Sequence, residues 1–201
     1  MKQMGIAIMM YTQDYDEQYP SVLHYNNFPG YRTNWVLLTA PYVKSLNIYQ
    51  CPSDPSEDIV AGQSTYWGTT RIHCSYAYND NFGSNGAFGL TLSTLTNSAS
   101  TVAVVDGGGR PQQGLPASKW LQETRAWVLD DVPGRPQVPA TAPDGNDAIF
   151  TGPSERHSGV CNIAWADGHV KATPVSRFYS DNPTVTNNCL RPIQATACQI
   201  Q

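Results

Sequence analysis

The sequence GVCNIAWADGHVKAT, residues 159–173, carries the clearest structural signal in this chain. Asp167-Gly168 is a preferred two-residue hairpin turn, and the residues on both sides of it alternate in polarity. A two-residue loop sets Trp165 opposite Val170, so that one face of the hairpin is apolar and the other is wetter. The apolar face comprises Cys161, Ile163, Trp165, Val170 and Ala172, and the wetter face Asn162, Ala164, His169 and Lys171. The segment therefore predicts an antiparallel hairpin in which Cys161 is a buried thiol outside any disulfide.

The start of the chain, residues 1–16, predicts an α-helix. Its apolar residues recur at alternating three- and four-residue steps, as one face of a helix requires. They are Met1, Met4, Ile8, Tyr11 and Tyr15. The stripe begins at the first residue without an N-cap, which favours the end of a longer helix; a short helix packed on its own sheet is the alternative. Asp14, Asp16 and Pro20 are expected to end it.

Local signals between these two segments predict short helices and turns. Asn34 is expected to cap a helical run over residues 35–39, and Pro41 is expected to start a second turn. The run CPSDP, residues 51–55, is strongly turn-forming.

Three further segments, residues 72–78, 101–105 and 126–129, are predicted strands. The glycines at 107–109 lack the flanking pattern of a phosphate-binding loop and are expected to form a turn. Residues 130–147 are expected to form a long irregular loop.

Composition excludes some classes of partner. Twelve basic against sixteen acidic residues give a net charge of −4 and a pI of about 5.4, so no basic surface is available for nucleic acid. Charged residues make up only 14% of the chain, below the roughly 25% of an average soluble domain. Such a surface is typical of secreted or cell-surface proteins. No stretch approaches the roughly 18 apolar residues that a membrane span needs.

Five cysteines leave at least one thiol outside any set of disulfides. Cys189 and Cys198 lie in a polar C-terminal tail, where a short closed loop would replace a missing core, and we expect them to be paired. Cys51 and Cys74 are the next expected disulfide. The alternative is that all five are reduced packing residues.

His157 is followed, after nine further residues, by Asp167-Gly168. This spacing looks like the C-terminal His-x9-Asp-Gly signature of the prepilin-type processing-associated proteins. Residues 2–20 are similar to the segment that follows their cleaved prepilin helix, and residues 41–55 and 75–83 resemble their middle blocks. The resemblance covers most of the chain in the family's order.

The resemblance implies an α+β, pilin-like fold, with an N-terminal helix packed on an antiparallel β-sheet and long irregular loops. One domain over residues 1–201 is expected. Its parts are the helix end at 1–18, a connecting region at 19–100, the sheet with the C-terminal hairpin at 101–178, and a disulfide-bearing tail at 179–201. The family's hydrophobic half-helix is absent from this sequence, so membrane contact is expected only through that missing helix.

The function implied is that of a non-enzymatic structural subunit of an extracellular filament or a type II secretion pseudopilus. Partners would be identical subunits or other pseudopilins, at the bacterial cell surface or on the periplasmic side of the secretion machinery. The alternatives are a secreted module that binds carbohydrate or another ligand through some of its five tryptophans and eleven tyrosines, and a hydrolase with an unrecognised site.

Catalysis by His157 and Asp167 is not expected, because ten residues of straight strand separate their Cα atoms by roughly 33 Å. A structural role is expected instead. Asp167 and Gly168 would supply a positive-φ turn, and His157 would hydrogen-bond a backbone carbonyl. The sequence also lacks a G-x-S-x-G elbow and the zinc motifs C-x2-C and H-E-x-x-H.

No cofactor is expected, with calcium left open as a bound ion. Oxygen ligands that a hard cation could order cluster in the long loop. They are Asp130, Asp131, Asp144, Asn146 and Asp147. Some pseudopilins carry calcium in a C-terminal loop. Solvated loop acids without a metal are the alternative.

Overall fold

The computed structural model describes residues 1–25, 32–54, 74–83, 90–110, 121–122, 128–129, 150–154 and 156–174. These residues form an α+β fold that contains one N-terminal helix, α1 (Lys2–Asp14), and a four-strand antiparallel sheet. The expected α+β class is confirmed at this level. Within the described ranges, no helix has the length and apolarity that crossing a bilayer demands.

The strands are short, apart from one of nine residues in the middle of the sheet. In chain order they are β1 (Leu23–Tyr25), β2 (Arg32–Asn34), β3 (Tyr76–Asn79), β4 (Val102–Arg110), β5 (Leu121–Gln122), β6 (Val128–Leu129), β7 (Phe150–Pro153), β8 (Val160–Trp165) and β9 (Val170–Pro174). The short helix α2 spans Trp35–Thr39, and single 3-10 turns cover Ala40–Tyr42, Leu46–Tyr49, Asp80–Phe82, Leu92–Thr94 and Ser98–Ser100.

The central strand of the antiparallel sheet is β4. It pairs with β3 on one side and β8 on the other, and β9 pairs with β8. The far half of β4 also pairs with β5 and β7, whereas β6 lies parallel to β3 and β7. Strands β1 and β2 pair with each other in a separate two-stranded antiparallel sheet.

The predicted helix and its stripe are confirmed over most of their length. Met4, Ile8 and Tyr11 are buried, and α1 packs on β8 and α2. Tyr15 differs from the expectation, because the helix ends at Asp14 and the Tyr15 side chain is 52% exposed.

An aromatic core fills the space beneath α1. The ring of Trp35 stacks on Tyr78 at a centroid distance of 5.3 Å, and Tyr78 stacks on Phe82 at the same distance. Tyr49 meets Trp35 edge-on at 5.7 Å. All four side chains are essentially inaccessible to solvent, so aromatic contacts bind α2 to β3.

Several local predictions are confirmed residue by residue. The Asn34 side chain accepts a hydrogen bond from the Leu37 N–H at 3.0 Å and caps α2. Pro41 lies in the first turn of the next 3-10 helix. The turn at residue 51 closes through a bond from the Asp54 N–H to the Cys51 carbonyl at 2.9 Å.

The predicted hairpin exists, but its predicted register is wrong by one residue. Ala164 pairs with Val170, and the Trp165 N–H donates to the His169 carbonyl at 2.9 Å, so the loop holds three residues instead of two. Gly168 has a φ of +84°, the glycine position of a type I turn followed by a bulge. Val170 therefore lies on the same face of the hairpin as Ala164, and this face packs into the core beneath α1. Trp165 and Ile163 lie on the opposite face, where they are also buried.

The turn predicted at 107–109 is also wrong. Strand β4 continues through these glycines to Arg110, with Gly107 opposite Pro153 and Gly109 opposite Gly152 and Gln122. The pairing shifts between Gly107 and Gly109, and glycine tolerates the irregular backbone of such a bulge.

Candidate functional site

The Asp-Gly turn of the hairpin lies directly against α1. A Cβ placed on Gly5 would stand 3.0 Å from the Gly168 carbonyl oxygen and 3.4 Å from its Cα. Lys2 Nζ donates to the same carbonyl at 3.3 Å, and the Tyr19 hydroxyl donates to the Ala166 carbonyl at 2.9 Å. The helix and the turn therefore meet backbone to backbone, with glycine on both sides of the contact.

Asp167 closes this turn and does not face His157. Its Oδ1 accepts a hydrogen bond from the His169 N–H at 3.0 Å and lies 2.6 Å from His169 Nδ1. The His169 ring stacks on Trp165 at 5.5 Å. Gly168 supplies the positive φ of the turn, as expected, whereas Asp167 has an ordinary backbone conformation.

His157 lies at the opposite end of β8, in a second polar cluster. The expectation that it bonds a backbone carbonyl through its ring is wrong: its Nε2 lies 3.6 Å from Cys51 Sγ and 3.5 Å from Asp106 Oδ2. A tight turn holds the residue there, with the Val160 N–H donating to the His157 carbonyl and positive φ values at Ser158 and Gly159.

Asp106 is the buried centre of this cluster. Its side chain is 1% exposed, and its Oδ2 accepts from the Asn162 backbone N–H at 2.6 Å and from Asn162 Nδ2 at 2.9 Å. Burial raises the pKa of the Tyr76 hydroxyl well above its ordinary value, and the nearby Cys51 and Asp106 raise it further. Both donors to the Asp106 carboxylate come from β8. Without them, burial of this group would cost free energy.

Arg156 joins three segments beside this cluster. Its Nη1 lies 2.8 Å from Asp54 Oδ2, and both side chains are less than one-tenth exposed. Its Nη2 donates to the Ser75 carbonyl at 2.6 Å and also to the Gly107 carbonyl. One guanidinium therefore connects the turn after Cys51 to β4 and to the residue before β3.

The expected disulfide between Cys51 and Cys74 is not formed. Both residues are free thiols, and their sulfurs have different partners: Cys51 Sγ faces His157, whereas Cys74 Sγ donates to the Tyr76 carbonyl at 3.1 Å. Burial raises the pKa of Cys74 to about 12. The expected buried thiol at Cys161 is confirmed, and it donates to the Thr173 carbonyl at 3.6 Å.

A cysteine, a histidine and an aspartate in contact invite comparison with a nucleophilic triad. In a triad, one ring nitrogen takes the proton from the nucleophile while the other bonds the carboxylate. In this cluster the same Nε2 of His157 faces both Cys51 and Asp106, and Cys51 is only 3% exposed. The arrangement is that of an internal polar network, and no trio of His, Cys, Asp or Glu in the described part of the chain is arranged to hold a metal ion.

A tyrosine cluster forms the solvent-exposed end of α1. Tyr15 stacks on Tyr11 at 4.2 Å, and Tyr42 meets Tyr11 edge-on at 6.2 Å. The Tyr42 hydroxyl donates to Asp14 Oδ2 at 2.8 Å. Desolvation and this contact with Asp14 raise the pKa of Tyr42 to about 12.

Sequence reasoning missed Asp106 and Arg156. The available signals were an aspartate directly after a buried apolar strand and an arginine next to the motif histidine. The other predicted site residues lie outside the described part of the chain. They are Cys189 and Cys198, and the loop acids Asp130, Asp131, Asp144, Asn146 and Asp147.

Comparison of the chain with protein-family models, with curated proteins and with solved structures finds no match in any of the three.

Proposed function

We propose that this chain is a pilin-like, non-enzymatic structural subunit of an extracellular filament or of a type II secretion pseudopilus. The observation that carries the proposal is the seating of α1 on the antiparallel sheet by the Asp-Gly turn of the His-x9-Asp-Gly motif. Gly5 of the helix and Gly168 of the turn touch through their backbones. The Asp-Gly pair of the motif therefore lies where the N-terminal helix meets the sheet.

A rigid angle between helix and sheet suits a subunit that contacts several neighbours. In a filament, different surfaces of each copy meet different neighbours, so an error in the relative placement of two surfaces accumulates along the assembly. In this fold the two backbones approach so closely that a methyl group on Gly5 would stand 3.0 Å from the Gly168 carbonyl oxygen. Lys2 and Tyr19 add hydrogen bonds to the same turn.

The second motif residue, His157, supports the same proposal. Its cluster connects the turn after Cys51 to β4 and β8, which are far apart in sequence. The Cys51 thiol is almost inaccessible, so a substrate could reach it only after the network opens. We therefore assign the cluster to structural stability and not to catalysis.

Exposed apolar side chains offer contacts for neighbouring copies. Tyr15 is 52% exposed directly after α1, and Leu46 is 39% exposed in a 3-10 helix that contacts α1. Aromatic side chains are enriched where proteins meet, because they bury a large area with few rotatable bonds. A surface with few charges also reduces repulsion between copies.

The test is electron microscopy of material from the producing cells, labelled with an antibody raised against the purified chain. Labelling at regular intervals along filaments or pseudopilus fibres is the expected result. Fibres that lack the label, with the chain recovered only as a dispersed protein, would overturn the proposal. Pre-adsorbing the antibody with purified chain is the control for specific labelling.

One observation favours the alternative of a secreted carbohydrate-binding module. Tyr15 presents an exposed ring backed by Tyr11, and the Asp14 carboxylate lies nearby on Tyr42. Sugars stack on such rings and hydrogen-bond carboxylates. Oligosaccharide binding that Tyr15→Ala abolishes and Leu46→Ala preserves would move this alternative to first place.

A further inference from the structure

The methionines of this chain are gathered at one helix. The 201 residues contain four of them, and all lie among the first ten positions: Met1, Met4, Met9 and Met10. The last three belong to α1. Oxidants convert the apolar thioether of methionine into a polar sulfoxide. The methionine oxidation chemistry of the whole chain is therefore concentrated at α1.

The three methionines of α1 differ in their access to solvent. Met4 is completely buried, Met9 is partly buried where it packs against the core, and Met10 is 45% exposed. A small oxidant can therefore react with Met9 and Met10 in the folded chain. Met4 becomes accessible only when α1 leaves the core.

Met9 touches the Asp-Gly turn from the side of the helix. A Cβ placed on Gly168 would stand 3.1 Å from Met9 Cγ and 3.6 Å from the Gly5 carbonyl oxygen. Gly5 and Met9 are four residues apart and so lie on the same face of α1. The turn therefore rests on the Gly5 backbone and on the Met9 side chain together. Because Cγ is bonded to the sulfur, the thioether lies next to this contact.

We propose that Met9 is an oxidant-sensitive switch for the contact between α1 and the turn at Gly168. In the reduced chain, the flexible thioether side chain fills the space beside the turn. In the oxidised chain, a sulfoxide oxygen at this place must be hydrated or hydrogen-bonded, because an unpartnered polar group at a packed contact costs free energy. Oxidation therefore loosens α1 from the turn. The switch rests on this contact and not on the filament role.

The oxidant is a peroxide, and the step is the transfer of one oxygen atom to Met9. The sulfur attacks one oxygen of hydrogen peroxide, the O–O bond breaks, and the second oxygen leaves as water after taking up the proton of the first. The sulfur is oxidised and the peroxide is reduced, each by one electron pair. Methionine sulfoxide reductases reverse the change, so the contact can form again.

The other contacts of the turn and the sheet involve no methionine. The Tyr19 hydroxyl still donates to the Ala166 carbonyl, and the pairing of β8 with β4 and β9 is made by backbone groups. Oxidation is therefore expected to act on α1 and to leave the sheet paired.

Treatment of the full chain with hydrogen peroxide tests the switch. Peptide mass spectrometry should find sulfoxide at Met9 and Met10 while Met4 stays reduced, which shows that the folded chain reacted. The urea midpoint should then fall by about 0.5–1 M. Backbone amides of α1 should exchange hydrogen faster, while those of β8 stay protected. Methionine sulfoxide reductases should restore the midpoint.

Two pairs of variants assign the effect to Met9. Met9→Leu conserves the volume and cannot be oxidised, so it should remove the fall in the urea midpoint. Met10→Leu is the matched control and should keep the fall. Met9→Gln places a permanent polar group of similar length beside the turn and should lower the midpoint without oxidant. Met10→Gln, at an exposed position, should leave it unchanged.

The proposal fails if peroxide lowers the urea midpoint of Met9→Leu as much as that of the parent chain, or if Met9→Gln is as stable as the parent chain. It also fails if Met9 stays reduced while Met10 reacts. Sulfoxide at Met4 as early as at Met9 would show that the chain opens before it reacts, which is equally incompatible with the switch. None of these outcomes depends on whether labelled filaments are found.

Discussion

Replacing Gly5 by alanine tests whether the hairpin turn holds α1. In an isolated helix the change is favourable by about 0.8–1.0 kcal/mol, because alanine is the better helix former. In this fold the added methyl group would stand 3.0 Å from the Gly168 carbonyl oxygen and 3.4 Å from its Cα. Both atoms belong to backbone, which cannot turn aside as a flexible side chain does. Overpacking of this kind costs about 1–3 kcal/mol, so we expect a net loss of about 0–2 kcal/mol.

Urea denaturation followed by far-ultraviolet circular dichroism measures this change in the free energy of unfolding. Gln3→Ala, at an exposed position of the same helix, is the matched control and should change stability by less than about 0.5 kcal/mol. Gly159→Ala separates backbone strain from crowding, because φ is +83° there and nothing lies within 4 Å of the added Cβ; it should cost about 1–2 kcal/mol. Stabilisation of about 1 kcal/mol by Gly5→Ala, as helix propensity alone requires, would refute the close contact.

Three further outcomes are expected. Trp165→Ala should destabilise the fold by about 3–5 kcal/mol, because this side chain is 1% exposed. Lys171→Ala should be nearly neutral in the same denaturation assay. Similar small effects of the two substitutions would contradict the burial of Trp165 on β8. Burial raises the pKa of Tyr49 from its ordinary value of 10.0 to about 12, so the unfolded chain loses this proton at a lower pH than the folded chain. The contribution of the protonated hydroxyl to the free energy of unfolding is therefore complete below pH 10 and is lost as the pH rises to about 12. Urea midpoints across that interval should fall less for Tyr49→Phe than for the parent chain. Peptide mapping without reduction should recover Cys189 and Cys198 as one disulfide-linked peptide, and alkylation of either residue in unreduced protein would exclude the pairing.

Predictions that depended on a few neighbouring residues agree best with the structure. Asn34 caps α2 because its carboxamide reaches an N–H three residues away. The stripe of Met4, Ile8 and Tyr11 produces a helix with one buried face. In both cases the interacting groups are close in sequence, so their spacing already contains the geometry.

The hairpin register shows where local chemistry becomes ambiguous. Asp-Gly suits a two-residue turn, and glycine equally suits the last position of a three-residue loop with a bulge. In the folded chain the turn that forms lies against α1, where the Gly168 carbonyl accepts a hydrogen bond from Lys2 and packs on Gly5. That contact joins residues more than 160 positions apart, and no local pattern contains it.

Short-range patterns were enough to predict the α1 segment, the cap of α2, the existence of the β8–β9 hairpin and the burial of Trp165, because periodicity and capping involve residues close together in the chain. Four other features became clear only in the folded chain: the hairpin register, the continuation of β4 through its glycines, the free thiols of Cys51 and Cys74, and the contact of His157 with Asp106. Each of these depends on which distant strands become neighbours. Pairing across the sheet is a property of the whole chain, because burial must be satisfied on all strands at once.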